Sequence, residues 1–544
     1  MMRSSKPGRQ VIDVGGESML SDIREEESSD AGRRVSDPSR VPSWIWDLLI
    51  VCLLVGGVVA VHIGIPGPVP SGPDPGNWLA LARERLGDSV MAGDASYAPI
   101  FPGFLAATLW AFQPVPAIVL AGLVSKAALL ASVFVVGRPM GRTLAMVVAV
   151  LVGVAGAQLE AYAWGAYPQI LATAFGLASV LALVRYLGDR RPLYLLVGIA
   201  LAAATLGTHL LVGSLLLVAV PIALVHALWV ERAGRKAWAL AARLAAVIAL
   251  PGGFYLYRAV VVAGRNGYEP PVNPLGLDLW FSLAHETREA PLLWVIVAIL
   301  GLVGLVVAHT SKAELATKVV GSSWAFAGLA SFLVTGEGRS LLLAQIGLAL
   351  LGACGFIWLW RRARQAECDT GRRAYGALWR GIAVVGVGVA FGLVVGGVGS
   401  YGGTTGWFRV VDTPELDGLD ALKAAAEQGD LAMASAGNHG HPIGWWVQGY
   451  AGIPTFSGID LRWLAFPLER EQAQVANDFF AQVDGGLEAL EPVRAVGVDF
   501  LVVDRRGPDA GWLESPIANE FERIYESPTI VVLSFPTREA ASET

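Results

Sequence analysis

Twelve stretches of the chain are apolar for the length of a membrane helix or close to it, and this limits the fold more than any other feature. They run at about 44–64, 99–113, 116–137, 142–158, 166–187, 193–208, 210–229, 237–262, 291–309, 317–335, 340–360 and 380–400. A helix needs about 20 apolar residues to cross the hydrocarbon core. Of 544 residues, 54% are hydrophobic and only 16% charged, less charge than a soluble chain of this length carries. The expected fold class is a polytopic α-helical membrane protein. The formal net charge of −6 adds little, because orientation in a bilayer follows where Lys and Arg sit.

Some classes drop out early. No basic patch with interleaved aromatic residues points to nucleic acid. Cys52 and Cys354 lie in apolar runs and Cys368 in a basic loop, with no pairing or metal spacing, so no disulfide framework is expected. Residues 1–42 are polar, mixed in charge and rich in Ser and Gly, and read as a disordered cytoplasmic tail. They lack the basic start, short apolar core and cleavage site of a signal peptide, so the first apolar run is expected to stay as a helix.

Short basic loops are expected on the cytoplasmic side. Five qualify: Arg138 with Arg142, Arg185 with Arg190 and Arg191, Arg232 with Arg235 and Lys236, Lys312 with Lys318, and the stretch Arg361 to Arg380. All five share one side if one run does not cross. The run 99–113 is short, starts at FPGF and stops at QPVP, and reads as a re-entrant or interfacial helix. About eleven crossings remain within a transmembrane domain of 43–400, with the amino terminus inside and the carboxyl terminus outside. The other arrangement pairs 99–113 with 116–137 as a hairpin and puts Arg138 and Arg142 outside. In the first arrangement the first outer loop 65–98, the loops 159–165, 208–209, 263–290 and 335–340, and the tail 401–544 share the outer face. Function is expected there.

From Tyr401 the composition changes. DTPELDGLDALKAAAEQGDLAMASAG reads as a helix then a strand, LEREQAQVANDFFAQV as a helix, and VRAVGVDFLVVDRR and SPTIVVLSFP as two more strands. This is a small extracytoplasmic α/β domain, long enough to bury a core and without a nucleotide-binding signature. Its unusual stretch is NHGHPIGWWVQGYAGIPTFSGIDLRW, where His439, His441, Trp445, Trp446 and Asp460 crowd a loop broken by Gly and Pro. It reads either as a binding loop at a strand end or as an aromatic loop resting on the membrane. The two His have no third ligand at metal-binding spacing.

On the outer face, SGPDPGNW holds Asp74 between two prolines that fix φ on either side. A carboxylate stiffened at a membrane surface is a candidate for chemistry; the plain alternative is a helix-ending turn. In AQLEAYAWGAYPQ, Glu160 stands beside Tyr162, Trp164 and Tyr167, a grouping that suits a sugar ring or an aromatic belt with one snorkelling acid. Arg339 in TGEGRS lies where arginine is uncommon and could grip a phosphate with both prongs; Glu337 could equally neutralise it. Arg258, in FYLYRAVVV, either joins Arg339 on the phosphate of a lipid carrier or snorkels. His209, in GTHLLVG, reads as a satisfied buried histidine or a catalytic one. Lys126 and Arg243 are isolated and read as snorkelling or paired.

Four stretches resemble the C-type superfamily of glycosyltransferases (GT-C), among them protein O-mannosyltransferases, aminoarabinose transferases, arabinosyltransferases and oligosaccharyltransferase catalytic subunits. Asp74 follows the first helix, where that family has its loop acid. YAPIFPGFLA, Tyr97 to Ala106, looks like the family's Tyr-Pro-Pro-rich helix entry, and EAYAWGAYPQ supplies a second-loop acid. GWWVQGY looks like the Trp-Trp-Asp-Tyr-Gly signature, with Val447 in place of Asp and Gln448 in place of Tyr. The resemblance implies a membrane enzyme that takes sugar from a polyprenyl-phosphate donor at the non-cytoplasmic face, with a glycan, lipid or protein acceptor. It implies Asp74 as general base, Arg339 and Arg258 on the departing phosphate, and Glu160 orienting the acceptor or assisting. Trp164, Tyr167 and the Trp445/Trp446 loop would line the sugar site. No DxD or ExD pair supports a divalent metal, and no other cofactor is implied. The abundance of Arg and Ala suggests a bacterial plasma membrane and cell-envelope glycans. Two other readings stand beside the enzyme: a secondary transporter, and a non-catalytic scaffold of the same fold.

Overall fold

A computed structural model of the chain describes residues 42–88, 97–265, 291–307, 311–335, 338–370, 373–461, 464, 467–483 and 487–535. The amino-terminal tail, most of the loop 263–290, and Glu337 lie outside these residues. The helices of the bundle are α1 (Ser43–Gly64), α2 (Asp74–Leu86), α3 (Ile100–Leu109), α4 (Pro114–Gly137), α5 (Arg142–Val154), α6 (Gly156–Trp164), α7 (Tyr167–Asp189), α8 (Pro192–Thr208), α9 (Leu210–Val230), α10 (Arg235–Arg265), α11 (Pro291–Val306), α12 (Lys312–Thr335), α13 (Arg339–Thr370) and α14 (Arg373–Phe408).

Eight of them, α1, α4, α7, α9, α10, α12, α13 and α14, are long and apolar enough to cross a membrane. The pair α5 and α6, bent by 50° at a break, makes a ninth among the described residues. The chain is a multi-pass membrane protein. Three further apolar helices among the described residues, α3, α8 and the part Trp294–Val306 of α11, are shorter; the sequence leads to an expectation of about eleven crossings. The ten residues of α3 make a rod of about 15 Å, half the thickness of the hydrocarbon core.

The break between α5 and α6 has a local cause. Ala155 is extended (φ −58°, ψ 136°), and Gly397 of α14 fits so closely that a Cβ there would lie 2.0 Å from the Val154 carbonyl oxygen. Lys126, fully buried, donates from Nζ to the Gln158 carbonyl at 3.0 Å. The Gln158 side chain donates in turn to the Leu342 carbonyl of α13 at 3.0 Å. Backbone polar groups freed by a break inside a membrane need such partners.

After α14 the chain enters a mixed sheet of order β2-β1-β3-β5-β4. Its strands are β1 (Ala432–Ala434), β2 (Thr455–Ser457), β3 (Phe500–Asp504), β4 (Glu522–Glu526) and β5 (Ile530–Ser534), with helices α15 (Thr413–Ala425) and α16 (Pro467–Phe480). β1 pairs in parallel with β2 and β3, while β5 pairs antiparallel with β3 and β4. The strands β1, β3 and β5 are the apolar runs legible in the sequence. β2 and β4 are short or polar, and only pairing reveals them. Met433, Leu501, Val503, Val531 and Leu533 pack against Phe479, Phe480 and Trp512 to form the domain's core. A capping box of Asp412 and Glu415 starts α15.

Candidate active site

Asp74 is the first residue of α2, and the loop before it is clamped from two sides. Ser71 Oγ donates to the Ala163 carbonyl at 2.9 Å, and Trp78 Nε1 to the Gly165 carbonyl at 2.7 Å. The approach is close enough to require glycine. A Cβ on Gly72 would lie 2.2 Å from the Trp164 main chain. Gly165 has φ +101°, and a Cβ there would lie 2.3 Å from Pro75 Cδ and 2.9 Å from Asp74 Cβ. On the other side, Trp446 Nε1 donates to the Gly72 carbonyl at 3.1 Å. Arg83 donates to the carbonyls of Gly449 (2.7 Å) and Tyr450 (3.0 Å), and the Val410 amide to that of Ser71 (3.0 Å).

Beneath the loop lies an aromatic cluster. His62 Nδ1 and the Tyr401 hydroxyl are hydrogen-bonded at 2.7 Å, Tyr162 stacks on His62 at 3.8 Å, and Tyr167 meets Tyr162 at 4.9 Å. Asp74 therefore stands on a packed platform.

The Asp74 carboxyl feels the Arg339 cation and acts on Tyr97, and Arg339 acts in turn on His209. Asp74 keeps some exposed surface, yet the protein around it desolvates the carboxyl and raises its pKa to about 6, against the opposing pull of the Arg339 cation. The Tyr97 hydroxyl is pushed up by burial and by the Asp74 charge, and its oxygen is buried without a hydrogen-bond partner. Burial, with Arg339 nearby, lowers the His209 imidazole to about 3, so it is neutral. Its Nδ1 accepts from the Val212 amide at 3.5 Å, capping α9, and its ring lies 6.2 Å from that of Tyr97. The Arg339 guanidinium carbon stands 5.4 Å from the centre of the Trp164 ring, a cation–π arrangement. Trp164 Nε1 is buried without a partner.

The structure thus brings Asp74, Arg339, Trp164 and His209 together. Glu160 is half-buried on α6, one turn before Trp164 and on the same side of the helix. Tyr167 is near Asp74 but buried in the platform. Trp446 is wholly buried behind the loop, and Trp445 packs against Ile459, Leu464 and Ala473. Arg258 is exposed on α10, one turn beyond Tyr255, whose hydroxyl acts on Tyr97. His439 stacks on Trp407 at 3.6 Å, and His441 lies 5.6 Å from Phe408 and 6.4 Å from His439. The Asp460 amide donates to the Gly440 carbonyl at 3.3 Å. Tyr97, Trp78 and Arg83 were not singled out from the sequence, although Tyr97 opens YAPIFPGFLA and Trp78 closes SGPDPGNW.

An apolar cavity of about 520 Å³ opens among α5, α11, α13 and α14, with Thr143, Gln158 and Gln345 its polar side chains. Ile346 on its wall lies two turns along α13 from Arg339, on the same face. Among the described residues no group of three or more His, Cys, Asp or Glu is placed to hold a metal ion.

Solved structures of ArnT from Cupriavidus metallidurans resemble this arrangement over almost the whole chain. The structure bound to undecaprenyl phosphate superposes with a TM-score of 0.52 at 16% identity, covering 91% of this chain and 99% of that one. The apo structure gives 0.50 at 15% identity, covering 90% and 97%. The fold is that of ArnT. It is the multi-helix membrane fold, ending in a small sheet domain, that the sequence leads one to expect. No protein-family model and no curated protein matches the chain.

Proposed function

We propose that this chain is a membrane glycosyltransferase that moves a sugar from a polyprenyl-phosphate donor to a glycan, lipid or protein acceptor of the cell envelope. The observation that carries the reading is Asp74: a clamped, partly desolvated carboxyl facing Arg339 within an ArnT fold. A carboxyl poised near 6 is largely ionised at neutral pH and basic enough to take a proton. In the transfer, the acceptor hydroxyl loses its proton to Asp74 as its oxygen attacks the anomeric carbon. The bond from that carbon to the phosphate oxygen breaks, and the polyprenyl phosphate leaves with the electron pair. Arg339 neutralises the charge that develops on the leaving oxygen. Such a direct displacement inverts the anomeric carbon.

Trp164 would present its ring to the sugar, and Glu160 would orient the acceptor or assist Asp74. Arg258 would help hold the donor phosphate. Tyr167, Trp445 and Trp446 would act in sugar binding by shaping the Asp74 loop, and His209 by presenting a neutral imidazole. His439, His441 and Asp460 would meet the acceptor. The apolar cavity on the Arg339 face of α13, within the volume range of ligand sites, suits a prenyl chain. The site end of the bundle would face away from the cytoplasm in a plasma membrane, with the amino terminus inside and the sheet domain outside, as the basic loops require.

A buried charge in the bundle is what a transporter would need, and Lys126 is such a group. Its bond to the Gln158 carbonyl supports a structural role at the helix break instead. The test is sugar transfer in membranes holding the protein, with a panel of labelled polyprenyl-phosphate sugars and Asp74→Asn at equal expression. Transfer that collapses in the variant supports the reading. Transfer unaffected by the change rejects Asp74 as the base, and no transfer with any donor and a full envelope extract rejects the enzyme.

A further inference from the structure

A series of ring contacts starts at Trp164, beside Arg339, crosses from the end of α14 to the loop after β1, and returns to α14 at Trp407. Trp164, under Arg339, meets Phe408 at 6.2 Å between ring centres. Phe408 meets His441 at 5.6 Å, His441 meets His439 at 6.4 Å, and His439 lies flat on Trp407 at 3.6 Å and 18°. The row starts half-buried at Trp164 and ends at Trp407, which is 53% exposed. Three segments build it: the end of α6, the last turn of α14 and the loop that follows β1. That loop lies at the carboxyl ends of the parallel strands β1 and β3, the edge where open α/β sheets take ligands.

The polar groups along the row are as telling as the rings. His441 is 6% exposed, hydrogen-bonds to the Trp407 main chain, and has its Nε2 buried without a partner. Asp460 lies against Gly440, where an added Cβ would come 3.5 Å from Asp460 Cβ. A buried polar atom without a partner is costly and points to a ligand group that supplies one. The backbone is turned to fit, with His439 at φ +55° and Gly440 at φ +77°.

We propose that this row is an acceptor subsite for a saccharide chain, whose rings stack along it while hydroxyls bond to His441 and Asp460. The inference rests on the reading of the Asp74–Arg339 pocket as the transfer site, and it narrows the acceptor to one with a glycan portion. A saccharide matches the alternation, because its C–H faces stack on aromatic rings and its hydroxyls both donate and accept. An acyl chain has nothing for His441 or Asp460. The geometry also sets a direction: the reacting end lies at Trp164, and the remainder of the chain runs toward Trp407 and solvent.

Binding tests this without requiring transfer. The full chain in lipid nanodiscs carries Asp74→Asn in every sample, so no turnover occurs. A mannotriose, an arabinotriose and a chitotriose are titrated in turn, each against its monosaccharide. We expect at least one trisaccharide to bind more tightly than its monosaccharide. Trp407→Ala and, in a separate surface loop, His439→Ala should each weaken that binding by about threefold to tenfold, the loss expected for one stacking contact. Trp407→Phe should retain most of it. Failure of all three trisaccharides to bind overturns the proposal, as does binding that both alanine variants leave unchanged. Quenching of Trp407 by brominated lipid headgroup neighbours, together with unchanged saccharide binding, would assign the row to membrane anchoring instead. Saccharide binding that depends on Trp407 in a protein that transfers no sugar would sustain the subsite and reject the enzyme.

Discussion

Asp74 faces Arg339 at the end of the bundle, and Asp504 faces Arg506 in the sheet domain, yet the two pairs are built differently. Asp504 is fully buried and saturated. Arg506 reaches it from Nε at 3.0 Å and from a terminal nitrogen at 2.9 Å, and the Arg506 amide adds 2.8 Å. The same guanidinium holds buried Glu415 at 3.2 Å and the Val410 carbonyl at 2.6 Å. Asp74 instead has burial raising its pKa and the Arg339 cation lowering it. Bonds on every side fix a carboxylate as a girder. A carboxyl left to desolvation and one charge remains available to exchange a proton. The same two residue types thus stand in two different surroundings within one chain, bonded throughout in the sheet domain and desolvated in the bundle.

The sharpest way to break this comparison is to neutralise each acid. Asp74→Asn should lower sugar transfer by about 10²- to 10⁴-fold, the contribution of a general base, with the protein still folded by its circular dichroism. If transfer survives, Asp74 is no more reactive than Asp504. In the sheet domain, Arg506→Met leaves two buried carboxylates uncompensated. It should cost about 3–5 kcal/mol, read as a lowered melting temperature and faster proteolysis of the domain.

The pocket carries a stability cost that the girder does not. Moving a carboxyl from 3.8 to about 6 corresponds to up to about 3 kcal/mol. Because the folded pKa lies above the unfolded one, the penalty is absent below the unfolded value, grows between these two pH values, and is full above about 6. Asp74→Asn should therefore melt higher than wild type at pH 7 and equally at low pH, in thermal scans of the detergent-solubilised protein. The activity of wild type should fall about tenfold per pH unit below about 6 as Asp74 takes up its proton. A flat profile through that range would remove Asp74 from the rate law. Smallest of all, Arg523→Gln removes a partner of Glu526 on the exposed strand β4. It should leave the melting temperature unchanged, since exposed ion pairs contribute little.

The membrane helices were legible because each apolar run states its own fate, whatever its neighbours. So were the strands β1, β3 and β5, whose apolar runs need no partner to be noticed. Asp74, Arg339 and His209 could be picked out because each breaks a local pattern: an acid between prolines, an arginine in a short outer loop, a histidine in an apolar stretch. Arg83 breaks none. Its role comes from carbonyls 366 and 367 residues away, and no local pattern announces such a partner. Trp446 behaves likewise: the double tryptophan was conspicuous, but its bond to Gly72 is a fact of the tertiary structure. Lys126 read as isolated because its acceptor is a main-chain carbonyl, which every residue possesses.

The clamp on the Asp74 loop has a consequence for how the protein comes into being. Its far half, Trp446 and the carbonyls of Gly449 and Tyr450, is made after every membrane helix has left the ribosome. Until then, α2 lacks the contacts that set the angle of its first residue. The bundle can enter the bilayer while its acid is still unaimed. The clamp is completed last, with the final quarter of the polypeptide, so a chain cut short before residue 444 would lack the contacts that hold the Asp74 loop from that side.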